Sequence, residues 1–407
     1  MSRFCQTHVP LQKFLAENVS IISNNLDTWV HLILQDAKNI LLSSFSFSKS
    51  FVRNYASEHI VYNLPKEDTY TGYECEPPSL EVQITKEEIV HMYKQMVIMR
   101  RMEVTSDGLY KSKFIRGFCH LCTGQEAVSV GMESAITPED AVITAYRCHG
   151  YTMVRGRKTG ISKGKGGSMH MFAKNFYGGN GIVGAQIPVG TGIAFTQKYN
   201  NTNNATFILY GDGAANQGQV FESYNMAKLW NLPAIFVCEN NFYGMGTSID
   251  RSSANTRFYT RGQYIPGLKV NGMDVMAVKN ACSWAKDWTV SGKGPLVMEM
   301  VTYRYGGHSM SDPGTTYRTR EEIQHMRSIN DPITKLKQRI IDIGLLTETE
   351  LKQVEKEART ILEDASKKAQ SDPLPDESEL YTDIYVKGSN PPLIRGRESE
   401  EFGFVKE

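Results

Sequence analysis

The chain has 407 residues, of which 41% are hydrophobic, enough for one large α/β domain or two ordinary ones with an ample core. Its 45 basic and 44 acidic residues are interspersed, so charge predicts neither a nucleic-acid partner nor an acidic one. Seven cysteines at irregular spacing indicate a reducing compartment. The sequence contains no uncharged apolar run of about eighteen residues, so no membrane span is predicted.

The N-terminal region, residues 1–55, is predicted to be a mitochondrial transit-peptide region. Residues 38–55 are basic, rich in serine and aromatic side chains, and free of acidic residues. Residues 1–37 are atypical because they contain three acidic side chains, which targeting peptides normally avoid. A disordered serine-rich arm is the alternative.

Residues 56–84 are predicted to form an irregular arm before an α/β domain at 85–318. A capping box, Thr85 to Glu88, opens a helix whose methionine-rich face is typical of a core or a subunit interface. Cys119 and Cys122 form a lone CxxC pair without a second pair at zinc-site spacing, so two partly buried thiols are favoured over a metal site.

The next segment predicts a helix of small residues at 126–135 and a short buried strand at 141–145. That strand places Tyr146 and Arg147 at its carboxyl end. Residues 162–192 are rich in glycine but also carry aromatic and methionine side chains, which would be costly to expose to water. A segment that wraps around a ligand is therefore favoured over a flexible linker. A phosphate-binding Walker loop is excluded because Gly164-Lys165 is followed by glycine.

Residues 204–247 predict a βαβ unit with parallel strands, which places Asp212 and Asn241 at one edge of the sheet. Carboxylate and amide oxygens suit a Mg²⁺ ion that keeps phosphate oxygens among its ligands. Gly213 permits close backbone approach to a phosphate, and the amide of Ala214 adds partial positive charge. The unit therefore predicts a magnesium-diphosphate site.

The last third predicts a helix at 275–284, a buried strand at 295–301 and a long polar loop at 302–319. Residues 319–407 are predicted to form a helical C-terminal extension and tail. Capping boxes at Thr319 and Thr347 open two of its helices. Residues 350–368 are expected to pack on the surface, with a subunit contact as the alternative.

Three motifs, GDGAANQGQ, ENNFYGMGT and YRYGGHSMSDPG, resemble the alpha subunits of thiamine diphosphate-dependent 2-oxo acid dehydrogenase E1 components. The resemblance covers about residues 85–392. It implies an α/β, thiamine diphosphate-binding fold with a mostly parallel sheet flanked by helices. It also implies oxidative decarboxylation in the mitochondrial matrix, with acyl transfer to the lipoyl group of an E2 component. The motifs favour pyruvate as the substrate over branched-chain 2-oxo acids or acetoin.

The resemblance also assigns roles to individual residues. Asp212, Asn241 and the backbone of Tyr243 would bind Mg²⁺, and His308 would be catalytic by stabilising the oxyanion formed from a 2-oxo acid. His120 and Ala173 would line the substrate pocket. The residues implied to bind thiamine diphosphate are Tyr146, Arg147, Gly181, Val183, Asp212, Gly213, Ala214, Asn241, Tyr243 and His308.

The family resemblance further implies partners and regulation. No second α/β pattern is present, so a beta subunit would supply the activating glutamate within an α2β2 tetramer, and this chain alone would be inactive. Ser309, Thr316 and Ser248 match phosphorylatable positions, which implies a regulatory kinase and phosphatase. A phosphate near His308 would inhibit by charge repulsion.

Two departures from the family pattern are present. Gly306 stands where histidine is frequent, and a helical stretch is missing at the junction 155–158. The short junction motivates a different function, a non-catalytic variant that binds the beta subunit. A dinucleotide-binding module is disfavoured because no G-x-G-x-x-G follows an early strand.

Overall fold

The computed structural model describes residues 59–156, 160–161, 170–373, 376–377, 393–395 and 402–404. The predicted transit-peptide region lies outside these residues. So do residues 157–159 of the short junction and 162–169 of the glycine-rich segment. The helix before the junction ends at Arg155, where Gly156 adopts a left-handed conformation with φ of 58°.

The segment 56–84, expected to be irregular, contains three strands in its described part. These are β1 (His59–Asn63), β2 (Tyr70–Tyr73) and β3 (Glu81–Thr85). β1 pairs with β3 in an antiparallel ribbon, and β2 joins the edge of the main sheet. Each strand has at most five residues, so its pattern of apolar and polar residues is too short to distinguish a strand from an irregular segment.

A long helix, α1 (Lys86–Lys111), follows directly from β3. Thr85 and Glu88 form the predicted capping box, with both reciprocal hydrogen bonds present. The methionine stripe of this helix is fully buried in the largest core cluster. The predicted apolar face is therefore part of the core of this chain.

The central sheet contains β2 and six further strands, namely β4 (Ala141–Ala145), β7 (Phe176–Asn180), β8 (Thr206–Gly211), β9 (Ala234–Asn240), β12 (Gly267–Asn271) and β13 (Leu296–Val301). Their order across the sheet is β2-β12-β13-β9-β8-β4-β7. All neighbouring pairs are parallel except β2 with β12. The predicted mostly parallel α/β fold is confirmed.

Helices cover both faces of this sheet. The first half supplies α2 (Glu126–Ala135), α3 (His149–Arg155) and α4 (Gln186–Tyr199), and the second supplies α5 (Gly218–Leu229), α6 (Ile249–Ser252) and α7 (Val275–Trp288). Along β8, Phe207 and Leu209 belong to one core cluster, whereas Ile208 and Tyr210 belong to the other. This alternation shows that the strand is buried on both faces, as parallel sheets require.

The C-terminal helices are α8 (Arg320–Asn330), α9 (Pro332–Asp342) and α10 (Glu348–Ser371). The Thr347 capping box is complete, whereas the Thr319 side chain caps Glu322 without the reciprocal bond. The apolar face of α10 is buried against α1. None of the helices in the described residues is both long and apolar enough to span a membrane.

Six further short strands form three antiparallel pairs outside the central sheet. β5 (Gly160–Ile161) pairs with β6 (Met171–Phe172), and β10 (Tyr243–Gly244) pairs with β11 (Thr247–Ser248). Near the C-terminus β14 (Leu393–Arg395) pairs with β15 (Phe402–Phe404). The β10–β11 hairpin lies directly after β9 and therefore beside the carboxyl edge of the sheet.

Candidate active site

Five neighbouring parallel strands deliver the predicted site residues to one edge of the sheet. Tyr146 and Arg147 follow β4, Gly181 follows β7, Asp212 follows β8 and Asn241 follows β9. The loop at 302–319, which carries His308, follows β13. A pocket opens between these strand ends, lined by Tyr146, Arg147, Gly211 and Asn241 among others. This is where ligands bind in open α/β sheets.

The proposed metal ligands lie together at the base of this pocket. Asp212 and Asn241 are 3% and 5% exposed, and the Asn241 backbone N–H faces Asp212 Oδ1 at 3.4 Å. The other carboxylate oxygen, Oδ2, is buried without a hydrogen-bond partner in the described residues. Burial raises the pKa of Asp212. A buried carboxylate oxygen without a partner is the feature that a cation would satisfy.

The orientation of Asn241 is fixed by a neighbouring amide. Its Nδ2 donates to Gln125 Oε1 at 3.2 Å, which turns its own Oδ1 away from Gln125. That Oδ1 and the Tyr243 carbonyl oxygen both accept hydrogen bonds from Arg304 Nη1, at 3.3 and 3.4 Å. The two oxygens therefore converge on one point, as ligands of one ion must.

Two glycines form a narrow backbone cradle above Asp212. A Cβ on Gly213 would lie 3.2 Å from Gly244 Cα, and a Cβ on Gly244 would lie 3.9 Å from Asp212 Oδ2. Ala214 follows in a single 3₁₀ turn rather than in the main helix, which begins at Gly218. The backbone can therefore approach a phosphate closely at Gly213.

Three rings gather at the mouth of the pocket. The His120 ring lies 4.3 Å from Tyr146 and 5.2 Å from His308, and Tyr146 lies 5.5 Å from His308, measured between ring centroids. Arg147 ties the group together, because its Nε donates to the Leu121 carbonyl at 3.0 Å and its Nη2 to the His308 carbonyl at 2.6 Å. The structure thus places His120, Tyr146, Arg147 and His308 in contact with one another or with a shared neighbour.

Both histidines of this group are held neutral. Burial, followed by the nearby Arg147, lowers the pKa of His308 to about 3 and that of His120 to about 4. His308 Nδ1 is buried and has no hydrogen-bond partner among the described residues. A neutral imidazole with an open nitrogen suits hydrogen bonding to a substrate.

The loop that carries His308 is braced by Asp312. This carboxylate accepts from the His308 backbone N–H at 2.6 Å, from Gly314 N–H at 2.8 Å and from the Tyr317 hydroxyl at 2.5 Å. Ser309 Oγ lies 2.9 Å from Ser311 Oγ. These contacts fix the backbone of His308 relative to the loop.

The remaining predicted residues lie further out. Gly181 and Val183 are exposed after β7, where a Cβ on Gly181 would lie 3.6 Å from His170 Cε1. Ala173 lies between β6 and β7 and forms two backbone hydrogen bonds with Phe176. Thr316 is exposed, and Ser248 precedes the short helix α6.

Comparison with known protein families settles the family. The family model described as "Dehydrogenase E1 component" matches residues 94–378, which include six of the seven strands of the sheet and the residues that line the pocket. The chain belongs to the dehydrogenase E1 component family. This family is thiamine diphosphate-dependent.

Similar E1 proteins come from distant organisms. A Saccharomyces cerevisiae protein is 58% identical over 359 residues, covering 85% of each chain. A Chaetomium thermophilum protein is 61% identical over 349 residues, covering 82% of this chain and 85% of its own. A Dictyostelium discoideum protein is 54% identical over 365 residues, covering 85% and 96%. Each is named a mitochondrial pyruvate dehydrogenase E1 component subunit alpha.

Sequence reasoning missed two residues of this E1 site. Gln125 orients Asn241, and Arg304 contacts two of the three predicted metal ligands. Gln125 lies before helix α2, far from the GDG motif in sequence. Arg304 had a signal, since it follows a buried strand of the sheet as Arg147 does.

Proposed function

We propose that this chain is the alpha subunit of a mitochondrial pyruvate dehydrogenase E1, an acetyl-transferring enzyme of the matrix that depends on thiamine diphosphate. The observation that carries the proposal is the convergence of Asp212, Asn241, Arg147 and His308 at one sheet edge. The relatives bearing that name align with most of the chain at 54–61% identity. Family membership makes the reaction class the decarboxylation of a 2-oxo acid.

The described residues fit a Mg²⁺-diphosphate group. Asp212 Oδ2 is buried and unpartnered, and Asn241 Oδ1 and the Tyr243 carbonyl face a common point. We assign these oxygens to Mg²⁺. Gly213 and Ala214 would offer backbone donors to the phosphates, and Arg147 and Tyr146 would meet them from β4.

Thiamine diphosphate, when bound, supplies the electron sink for decarboxylation. The residues of this chain hold and orient the reactants. His308 is neutral and would donate a hydrogen bond to the oxygen on which negative charge develops. His120, also neutral, would contact the carboxylate side of a small 2-oxo acid without adding a second charge.

The other end of the cofactor requires another polypeptide. Gly181 and Val183, proposed to face the aminopyrimidine, are exposed in this chain. E1 alpha subunits work with a beta subunit, and we propose that the beta subunit covers this side and supplies the activating carboxylate. An α2β2 tetramer follows from that proposal.

Co-expression with a candidate beta subunit tests the function. The purified assembly should decarboxylate pyruvate in the presence of Mg-thiamine diphosphate, and branched-chain 2-oxo acids should react much more slowly. Preference for a branched-chain acid or acetoin would reassign the substrate. Assembly without any turnover would favour the non-catalytic variant subunit that the short junction at 155–158 suggests.

The proposal has two further parts. The enzyme would transfer the acetyl group to the lipoyl group of an E2 component, and a kinase and a phosphatase would control its activity.

Ser309 lies next to His308, so a phosphate there would add about two negative charges beside the diphosphate position. Ser309→Glu in the assembled enzyme should lower activity strongly, whereas Ser309→Ala should not. Full activity of Ser309→Glu would remove Ser309 as a regulatory site and leave Thr316 and Ser248 as candidates.

A further inference from the structure

A buried cluster of metal-ligating side chains lies beside the pocket and apart from the proposed Mg²⁺ ligands. Glu103 belongs to α1, Cys122 to the loop before α2, and His149 is the first residue of α3. Glu103 and His149 are fully buried, and Cys122 is buried in the wall of the pocket. A carboxylate oxygen, the thiol sulfur and an imidazole nitrogen lie within 4.8 Å of one another. Three elements therefore bring three possible ligands to one point.

Glu103 links the members of this cluster. Its Oε1 accepts a hydrogen bond from the Cys122 thiol at 2.9 Å and lies 2.6 Å from His149 Nε2. Glu103 Oε2 and His149 Nδ1 are buried without a hydrogen-bond partner among the described residues. Buried polar atoms are normally paired, so the cluster has more ligating capacity than its own hydrogen bonds use. Cys119, the other half of the CxxC pair, is not part of the cluster.

The Cys122 thiol is not prepared for nucleophilic catalysis. Burial raises the pKa of Cys122 well above its ordinary value, and the Glu103 carboxylate raises it further. The thiol is therefore protonated and a poor nucleophile. A metal ion removes the proton of such a thiol, because the ion supplies the positive charge that the thiolate needs.

The charges around the cluster are compatible with a divalent cation. Glu126 and Arg147 also act on the Cys122 sulfur, with effects of opposite sign. Glu126 is already paired with Arg100, whose Nη2 lies 2.8 Å from Glu126 Oε2. A divalent ion bound by the Glu103 carboxylate and the Cys122 thiolate would form a unit without net charge, which suits a buried position.

We propose that Glu103, Cys122 and His149 form a further cation site, which binds a divalent ion of the Zn²⁺ class. One carboxylate, one thiolate and one imidazole suit Zn²⁺, whereas Mg²⁺ prefers oxygen ligands. Ligand atoms of a tetrahedral Zn²⁺ site lie about 3.3–3.6 Å apart, so the two hydrogen-bonded pairs need to separate by less than about 1 Å. Cys122 releases its thiol proton to solvent when the ion binds.

The pocket gives the ion a route to this site. Cys122 lines the pocket, so a water molecule on the pocket side can serve as the fourth ligand. The bound ion would cross-link α1, the loop before α2 and α3. It is therefore expected to raise the melting temperature of the chain. The site does not depend on the proposed function.

Co²⁺ is the probe, because a bond between Co²⁺ and a thiolate gives a charge-transfer absorption band that oxygen and nitrogen ligands do not give. The purified full chain is treated with a chelator, dialysed and titrated with Co²⁺. The parent should show a band that Cys122→Ser lacks. Glu103→Gln and His149→Gln should each weaken Co²⁺ binding by about tenfold or more. Co²⁺ should raise the melting temperature of the parent and not that of Cys122→Ser.

Two further variants serve as controls. Cys282→Ser changes another fully buried thiol, in α7, which is not part of the cluster, and it should keep the band. Asp212→Asn should also keep the band, because the proposed Mg²⁺ site contains no cysteine. Circular dichroism shows whether each variant is folded, and Glu103→Gln keeps the test open if Cys122→Ser does not fold.

The outcomes separate this site from the proposed function. Identical Co²⁺ spectra of the parent and Cys122→Ser would overturn the proposal. A band that is lost in Cys122→Ser but unchanged in both Glu103→Gln and His149→Gln would also overturn it, because the thiol alone would then hold the ion. A band that persists in Asp212→Asn, while Mg²⁺ binding is lost there, would support two separate cation sites.

Loss of the band in Cys282→Ser as well as in Cys122→Ser would contradict the assignment, since the effect would then not be specific to the cluster.

Discussion

The two ends of the proposed cofactor site differ in how this chain builds them. At the metal end, Asp212, Asn241 and Arg304 are 3%, 5% and 1% exposed. At the open end, Ile182 and Val183 are 71% and 47% exposed. The metal end is packed at the carboxyl edge of a sheet that is buried on both faces, whereas the open end is exposed to solvent.

Part of the surface of helices α4 and α5 is also apolar. Large exposed side chains there are Val189, Phe195, Tyr199, Phe221 and Leu229, and the exposed Trp230 follows α5. An apolar patch of this kind is typical of a protein interface. The comparison teaches that this chain builds the proposed anionic end from its own buried residues, whereas the proposed reactive end is left exposed for a second polypeptide to complete.

The largest effect is expected at the metal end. Asp212→Asn keeps the shape of the side chain but removes the only carboxylate among the three proposed metal ligands. Mg²⁺ binding should weaken by more than about 100-fold, with a comparable loss of activity in the assembled enzyme. Asp250→Asn, an exposed carboxylate in helix α6, is the control and should change neither. An unchanged metal affinity in Asp212→Asn would remove the metal assignment.

The next effect is expected at His308, which lies beside Tyr146 and Arg147 at the mouth of the pocket. His308→Asn should lower kcat by about 10²- to 10³-fold, because it removes the donor proposed for the developing oxyanion. Cofactor affinity should fall much less, since Asp212 and Asn241 remain. Equal losses in cofactor affinity and in kcat would make His308 a cofactor ligand only. Isothermal titration and steady-state kinetics separate the two.

Assembly is expected to weaken when helices α4 and α5 lose exposed apolar side chains. The double variant Tyr199→Ser with Leu229→Ser removes side chains that are 79% and 71% exposed. It should fold normally but associate with the beta subunit about tenfold more weakly or worse, as seen by analytical ultracentrifugation. Ile343→Ser, at an exposed apolar position after helix α9, is the control. A fully assembled double variant would place the interface elsewhere.

The smallest effect concerns acid stability. Burial lowers the pKa of His308 to about 3, against 6.5 in the unfolded chain, so the folded form stays neutral while the unfolded form takes up a proton. Stability is therefore fully present above pH 6.5 and declines as the pH falls towards 3, by on the order of 1 kcal/mol at pH 5 after allowance for partial exposure.

Chemical denaturation of the cofactor-free assembly at pH 7.5 and pH 5 measures this. His308→Gln should lose less stability on acidification than the parent, and the exposed His325→Gln should behave as the parent does. An identical acid loss in His308→Gln and the parent would show that His308 is not held neutral.

The sequence predicted the parts of this molecule that depend on local pattern. The β8–α5–β9 unit, the capping boxes at Thr85 and Thr347, and the placement of Asp212 and Asn241 at one sheet edge all follow from runs of neighbouring residues. Strand β2 could not be predicted, because its four residues gain their stability by pairing with β12, nearly 200 residues later.

The chemistry of the site was likewise predictable only in part. Motifs identify Asp212, Asn241 and His308, but the orientation of each depends on side chains distant in sequence. Gln125 lies 116 residues before Asn241, and Arg304 lies 63 residues after it. The Arg304 contact forms because β9 and β13 are neighbours in the sheet, and the Gln125 contact forms where the start of α2 meets the end of β9. No local sequence pattern predicts either contact.

The central claim is that this chain builds the metal end of the active site and that the beta subunit completes the other end. Measuring turnover with and without the beta subunit tests this claim most directly. The folded, purified chain is supplied with Mg-thiamine diphosphate, pyruvate and an artificial electron acceptor, and the same chain is measured after assembly with the beta subunit. Turnover should occur only in the assembly. Turnover by the chain alone would contradict the claim that it builds only the metal end of the active site.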